Sequence, residues 1–284
     1  MKRIKSDLKR RRIQRFVSNR LAMVGLSLLA IIALMCIAAP LLTHWDPSQL
    51  NPRDKLLSPS AEHLLGTDQL GRDLFARILY GGRVSIVIGL LSAILSTAVG
   101  VLLGCIASYY GGRVDTVIIY TGELFACFPS MILVMLIISY VQRSAIWMIV
   151  VFVLTGWVGS MRLIRSRLLS LKEEPFIDSC RVNGVSGASI MFRHLLPNAV
   201  GPITVNITVG VSGYVLAEAG LSFLGIGVPP TVPTWGNMIN AAKSMTVMMN
   251  SPALWIFPGI AISLFVLGCN FFGDGLRDAL DVTQ

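Results

Sequence analysis

Six stretches of this 284-residue chain are long and apolar enough to cross a lipid bilayer, at 21–43, 84–109, 114–141, 145–161, 199–224 and 253–273. A hydrocarbon core about 30 Å thick takes roughly 20 apolar residues per crossing helix. Composition agrees, with 54% hydrophobic and 14% charged residues, against about 45–50% and 25% in soluble domains. The expected fold class is therefore an all-α integral membrane protein with six transmembrane helices, and little chain remains for a soluble domain. The first run spans and continues through Cys36 and Pro40, so it is expected as a retained helix and not a cleaved secretory signal.

A net charge of +9 could suggest nucleic acid, so its location matters more than its sign. Nine of the 24 Lys and Arg residues lie in residues 1–20, and six more lie in 162–198. With six spans both termini share one side of the membrane, and the excess of Lys and Arg places that side in the cytoplasm. The basic N-terminus then reads as a topology anchor that touches anionic lipid, and nucleic acid is not expected as a partner. The resulting division is a basic cytoplasmic segment (1–20), a first transmembrane helix (21–43) and an external loop with a surface helix (44–83). A core of five further spans (84–275) follows, containing the cytoplasmic loop 162–198, and then a cytoplasmic tail (276–284). The five cysteines show no paired spacing, and His44, His63 and His194 fall in loops on opposite sides, so neither a disulfide framework nor a metal site is expected.

In the external loop, Leu74, Phe75, Ile78 and Leu79 share one helical face, while Arg72, Asp73 and Arg77 lie elsewhere. That pattern predicts a short helix on the membrane surface, acting either as a clamp or as a seal on the bundle. Within the spans, Gly89, Ser92, Ser96, Gly100 and Gly104 recur at helical spacing and suit close helix contact. Pro129 and Pro258 are expected to kink their helices. Glu123 and Glu218 are acids inside spans, which must face protein or water. Each is a candidate for a solvated translocation pathway; the alternative is an acceptor that fixes packing between helices.

The cytoplasmic loop carries the most information. Pro175 suits a first helical turn and Gly184 a left-handed helix end, with Phe176, Ile177, Asp178, Cys180 and Arg181 between them. Ser186 can cap a second short helix that Pro197 stops. Two helices this short cannot bury their own apolar faces, so they need a neighbour, either their own bundle or another subunit.

At these residues the chain resembles a known family. Asp178-Ser179-Cys180, three residues, Gly184, nine residues, then His194-Leu195-Leu196-Pro197 is similar to the conserved loop of ATP-binding cassette (ABC) importer permeases, Glu-Ala-Ala, three, Gly, nine, Ile-x-Leu-Pro. Here Asp replaces Glu, Ser and Cys replace both Ala, and His replaces Ile. Outside the membrane, Gly66-Thr67-Asp68, two residues, Gly71-Arg72-Asp73, with Arg77 and Gly82-Arg83, resemble the motif of the dipeptide and oligopeptide permease C-type subunit. So do Glu218-Ala219-Gly220-Leu221-Ser222-Phe223-Leu224-Gly225 and Pro233-Thr234-Trp235-Gly236.

The resemblance implies a type I importer permease fold in a bacterial plasma membrane and transport of a small solute, with peptide the preferred class. It implies a second, related permease subunit, two ATP-binding subunits and an extracytoplasmic solute-binding protein. The loop residues Phe176, Ile177, Asp178, Cys180, Arg181, Gly184, His194, Leu196 and Pro197 would couple to the ATPases. ATP and Mg would sit on those partners, with no cofactor on this chain. Two other readings compete. Gly210-Val211-Ser212-Gly213 resembles a serine nucleophile motif, but no histidine lies in any predicted span to act as base. An ion-driven carrier would not need the partner-seeking loop. The chain has no Gly-Lys dipeptide, so it carries no Walker-type phosphate loop of its own.

Overall fold

The computed structural model describes residues 13–280; the start of the basic segment and the last tail residues lie outside the described residues. Apart from one bridge between Thr67 and Asp73, regular structure among them is helical. Helix α1 spans Arg20–Ile37, starting where the Asn19 side chain accepts the Ala22 N–H, and a turn at Ala39–Leu42 with Pro40 extends it. Next come α2 (Leu74–Tyr110), α3 (Gly112–Ala126), α4 (Ser130–Tyr140), α5 (Ala145–Lys172) and α6 (Pro175–Val182). After a helical stretch over 187–198 follow α7 (Val200–Phe223), α8 (Trp235–Ala241), α9 (Met245–Asn250) and α10 (Ala253–Leu280).

Five of these, α1, α2, α5, α7 and α10, are single helices long and apolar enough to cross a membrane; the sixth expected span falls on the pair α3 and α4, bent by 85°, which brings the number to six where the two legs are one span. The kink expected at Pro129 is thus a full break. Proline removes a backbone donor and disfavours helical geometry at the residue before it, here Phe128. Pro258, by contrast, stays inside α10. Only 17 to 39% of the most apolar window of each unbroken span is buried, so most of that apolar surface points outward, which is stable in hydrocarbon and not in water.

Two expected boundaries are corrected. The surface helix at 71–79 is not separate: the segment forms the first turns of α2, a helix of 37 residues. Asp73 caps it by accepting the Ala76 N–H at 2.7 Å, and Gly81 and Gly82 pass through it as buried contact points. Likewise α10 runs on through 276–280, where a tail was expected.

Packing follows the small residues. The most extensive contact is α2 against α5, with α1 on α10 and α7 between α2 and α10. A Cβ on Gly100 would come 2.7 Å from the Trp157 carbonyl and 2.8 Å from the Met161 nitrogen, so α2 and α5 approach backbone to backbone. The expectation that Gly89, Ser92, Ser96, Gly100 and Gly104 serve close contact agrees with their burial along α2. Arg83 ties α2 to the end of α1, donating to the carbonyls of Cys36 at 2.6 Å and Ile37 at 2.8 Å.

Candidate functional site

The hairpin between α5 and α7 forms much as its residues dictate. Pro175 opens α6, Gly184 takes a left-handed φ of +71°, and the Ser186 side chain accepts the Ser189 N–H to start the second helical stretch. Ile190–Leu195 is wound as a π-helix, and the Asn198 side chain donates to the His194 carbonyl at 2.6 Å. Its inner face is not left open. Ile177, Ile190, Met191 and Leu195 pack with Cys105, Ile164, Leu168 and Leu171 of α2 and α5, so the bundle itself supplies part of the missing hydrophobic neighbour. Its outer face keeps Phe176 39% and Val182 88% exposed. Asp178 is exposed, Cys180 and His194 are half-buried, and Leu196 and Pro197 start the stretch that leads into α7.

Just before the hairpin, α5 is tied to its neighbours by charge. Arg165 on α5 makes a bidentate pair with Asp115 on α3 at 2.5 and 2.6 Å, a geometry that fixes orientation as well as distance. Lys172 in the last turn of α5 donates to the Ser108 carbonyl of α2. The helix that leads into the hairpin is therefore fastened to both α2 and the bent pair.

At the opposite end of α2, Gly66, Thr67, Asp68, Gly71, Arg72 and Asp73 come together as a buried polar clasp. Asp68 accepts Nε of Arg72 at 2.7 Å and the backbone N–H groups of Leu70 and Arg72 at 2.8 and 3.0 Å. Arg77, only 1% exposed, lies 3.7 Å from the same carboxylate and donates to the Pro47 carbonyl at 2.9 Å. Asp73 also meets His63 Nδ1 at 2.9 Å, and Trp45 stacks on that imidazole at 4.6 Å. Buried charges of this kind persist because they are paired. The clasp reaches the segment between α7 and α10, where Gln69 donates to the Ala241 carbonyl at 2.7 Å and Arg72 to that of Pro230 at 3.4 Å.

The two membrane acids part company. Glu218 is 0% exposed and accepts the hydroxyls of Ser85 at 3.0 Å and Ser222 at 2.7 Å, with Thr234 beside it. Ser85 in turn accepts the Trp235 N–H at 3.3 Å. Within this chain Glu218 is a hydrogen-bond acceptor joining α2, α7 and α8, the packing alternative to a place on the pathway. Glu123 is exposed on α3, five residues before Phe128 at the break, and shares no hydrogen bond with Glu218 among the described residues. Ser212 donates to the Val209 carbonyl at 2.8 Å and to Asn270 at 3.3 Å, with no base in reach for nucleophilic chemistry.

Residue patterns alone do not identify a cavity of about 420 Å³ between α2, α4, α5 and α7. At its floor Asn206 donates to Thr97 at 3.1 Å and Ser160 at 2.8 Å, and Tyr214 donates to Ser96 at 2.8 Å. The one available signal was Asn206, an amide inside the fifth apolar run; its partners lie 109 and 46 residues away.

Comparison with known proteins places the whole chain. Residues 100–282 match the family described as binding-protein-dependent transport system inner membrane component, and residues 8–59 match the N-terminal transmembrane domain of oligopeptide transport permease C. A protein of Brucella suis named as a peptide permease is 41% identical, covering 95% of this chain and 90% of the relative. The dipeptide transport system permease protein DppC of Alkalihalophilus pseudofirmus is 39% identical over 93% of this chain and 86% of its own length. The oligopeptide transport system permease protein OppC of Bacillus subtilis is 37% identical over 94% and 87%. With helices built to cross a bilayer and a match along nearly its full length, the chain belongs to the binding-protein-dependent inner membrane components of ABC transporters, in their peptide permease C-type branch.

Proposed function

We propose that this chain is one half of the membrane channel of an ABC importer that carries short peptides into the bacterial cytoplasm. Both termini lie in the cytoplasm, and a second related permease completes the path. A solute-binding protein delivers peptide from outside, and two ATP-binding subunits hold ATP and Mg. The chain itself performs no hydrolysis. Closure of the ATPase pair would push the hairpin, and the ties of α5 at Arg165 and Lys172 would pass the movement to the spans, converting binding energy into alternating access.

The observation that supports this reading best is the two-sided hairpin. Ile177 is 0% exposed against the bundle, while Phe176 and Val182 of the same short helix stay uncovered. A structural loop with no partner would gain by turning polar residues outward. Co-purification of the assembled importer tests it. Phe176→Asp with Val182→Asp is expected to abolish retention of the ATP-binding subunits, with membrane insertion and association with the second permease unchanged. Full retention would refute the docking surface. Proton-driven uptake without ATP would refute the importer.

A further inference from the structure

We infer that the cavity between α2, α4, α5 and α7 is a stretch of the peptide path that engages the backbone of an extended peptide through uncharged groups, independent of its side chains. This rests on the proposed importer role and adds the residues and the selectivity.

Its volume of about 420 Å³ is on the scale that small ligands occupy. Asn206 uses both amide hydrogens on Thr97 and Ser160, and its carbonyl oxygen accepts no hydrogen bond among the described residues. A groove wall with a spare acceptor at membrane depth suits a peptide N–H. A lipid tail offers no donor, and a packed helix has its N–H groups already satisfied. Ser130, at the first turn after the α3–α4 break, lines the same space. The described lining residues include no Asp, Glu, Lys, Arg or His. Passage needs contacts strong enough to admit a solute and weak enough to release it, and a fixed charge would hold peptides of opposite charge. Neutral amides and hydroxyls recognise what every peptide shares.

The shape also leaves room for a passenger. Gly159 on α5 and Gly213 on α7 line the cavity, and a Cβ on either would meet nothing within 4 Å. These two glycines therefore serve no close helix contact within the chain. Tyr214, whose hydroxyl is held by Ser96, forms the rigid wall beside them.

The complete importer in proteoliposomes, with trialanine as probe, tests the inference. Gly213→Trp is expected to cut ATP-driven uptake by at least about tenfold while the subunits still assemble. Asn206→Asp keeps the shape and adds a negative charge; it is expected to change the ratio of Ala-Glu-Ala to Ala-Lys-Ala uptake by about fivefold or more against wild type. Unchanged uptake in Gly213→Trp, or unchanged selectivity in Asn206→Asp, overturns the inference. Loss of assembly in Gly213→Trp with unchanged selectivity in Asn206→Asp would place a partner helix in the cavity and overturn it as well. Failure of the wild-type importer to take up trialanine would instead fell the peptide reading on which it stands.

Discussion

Replacing Glu218 by Gln separates the two roles open to a membrane acid. Its oxygens accept from Ser85 and Ser222 with no exposure to solvent, so the amide keeps the shape but turns one acceptor into a donor facing hydroxyls. Stability is expected to fall by about 1–3 kcal/mol, measured as thermal unfolding in detergent, while uptake per folded molecule stays at the wild-type level. Ser92 gives the opposite case. Its hydroxyl is the buried side-chain oxygen without a hydrogen bond among the described residues, so Ser92→Ala is expected to be neutral or slightly stabilising. Burial of Glu218 was legible in the sequence, because an acid within an apolar run must leave lipid. Its role was not, since Ser85 lies 133 residues away and only the fold brings that hydroxyl to it.

Helix ends with chemical stops were legible, and those without were not. Pro175, Gly184 and Ser186 act at the positions their chemistry suggests. The start of α2 was not legible in hydropathy, which marks where the apolar run begins, whereas the helix begins earlier, at its cap Asp73 within the clasp. The α2–α5 contact makes the sharpest prediction at this scale. A side chain at Gly100 would meet backbone atoms of α5 at under 3 Å, and backbone cannot swing aside as a side chain can. Gly100→Val is expected to destabilise the chain by about 1–3 kcal/mol or more, read as reduced membrane abundance, while Gly213→Ala, in open space, leaves abundance unchanged.

Across the molecule, the clasp fastens the segments before α2 and after α7, which are more than 150 residues apart in sequence. Removing the Asp68 carboxylate would leave Arg72 and Arg77 buried without their shared anion. Asp68→Ala is expected to cost about 3–5 kcal/mol, seen as protease cleavage between residues 44 and 73 in intact spheroplasts under conditions where the wild type resists. The broken span carries a different obligation. At about 1.5 Å per residue the 15 residues of α3 and the 11 of α4 reach about 22 and 16 Å, so neither leg alone traverses the bilayer. Their corner must therefore sit partway through it, with Cys127, Phe128, Pro129 and Ser130 all uncovered in the single chain. Oil cannot solvate the unpaired carbonyls of a helix end. Under the proposed pairing, a cell that makes this polypeptide without its counterpart leaves that corner wanting water, and so has reason to synthesise the two halves in equal number.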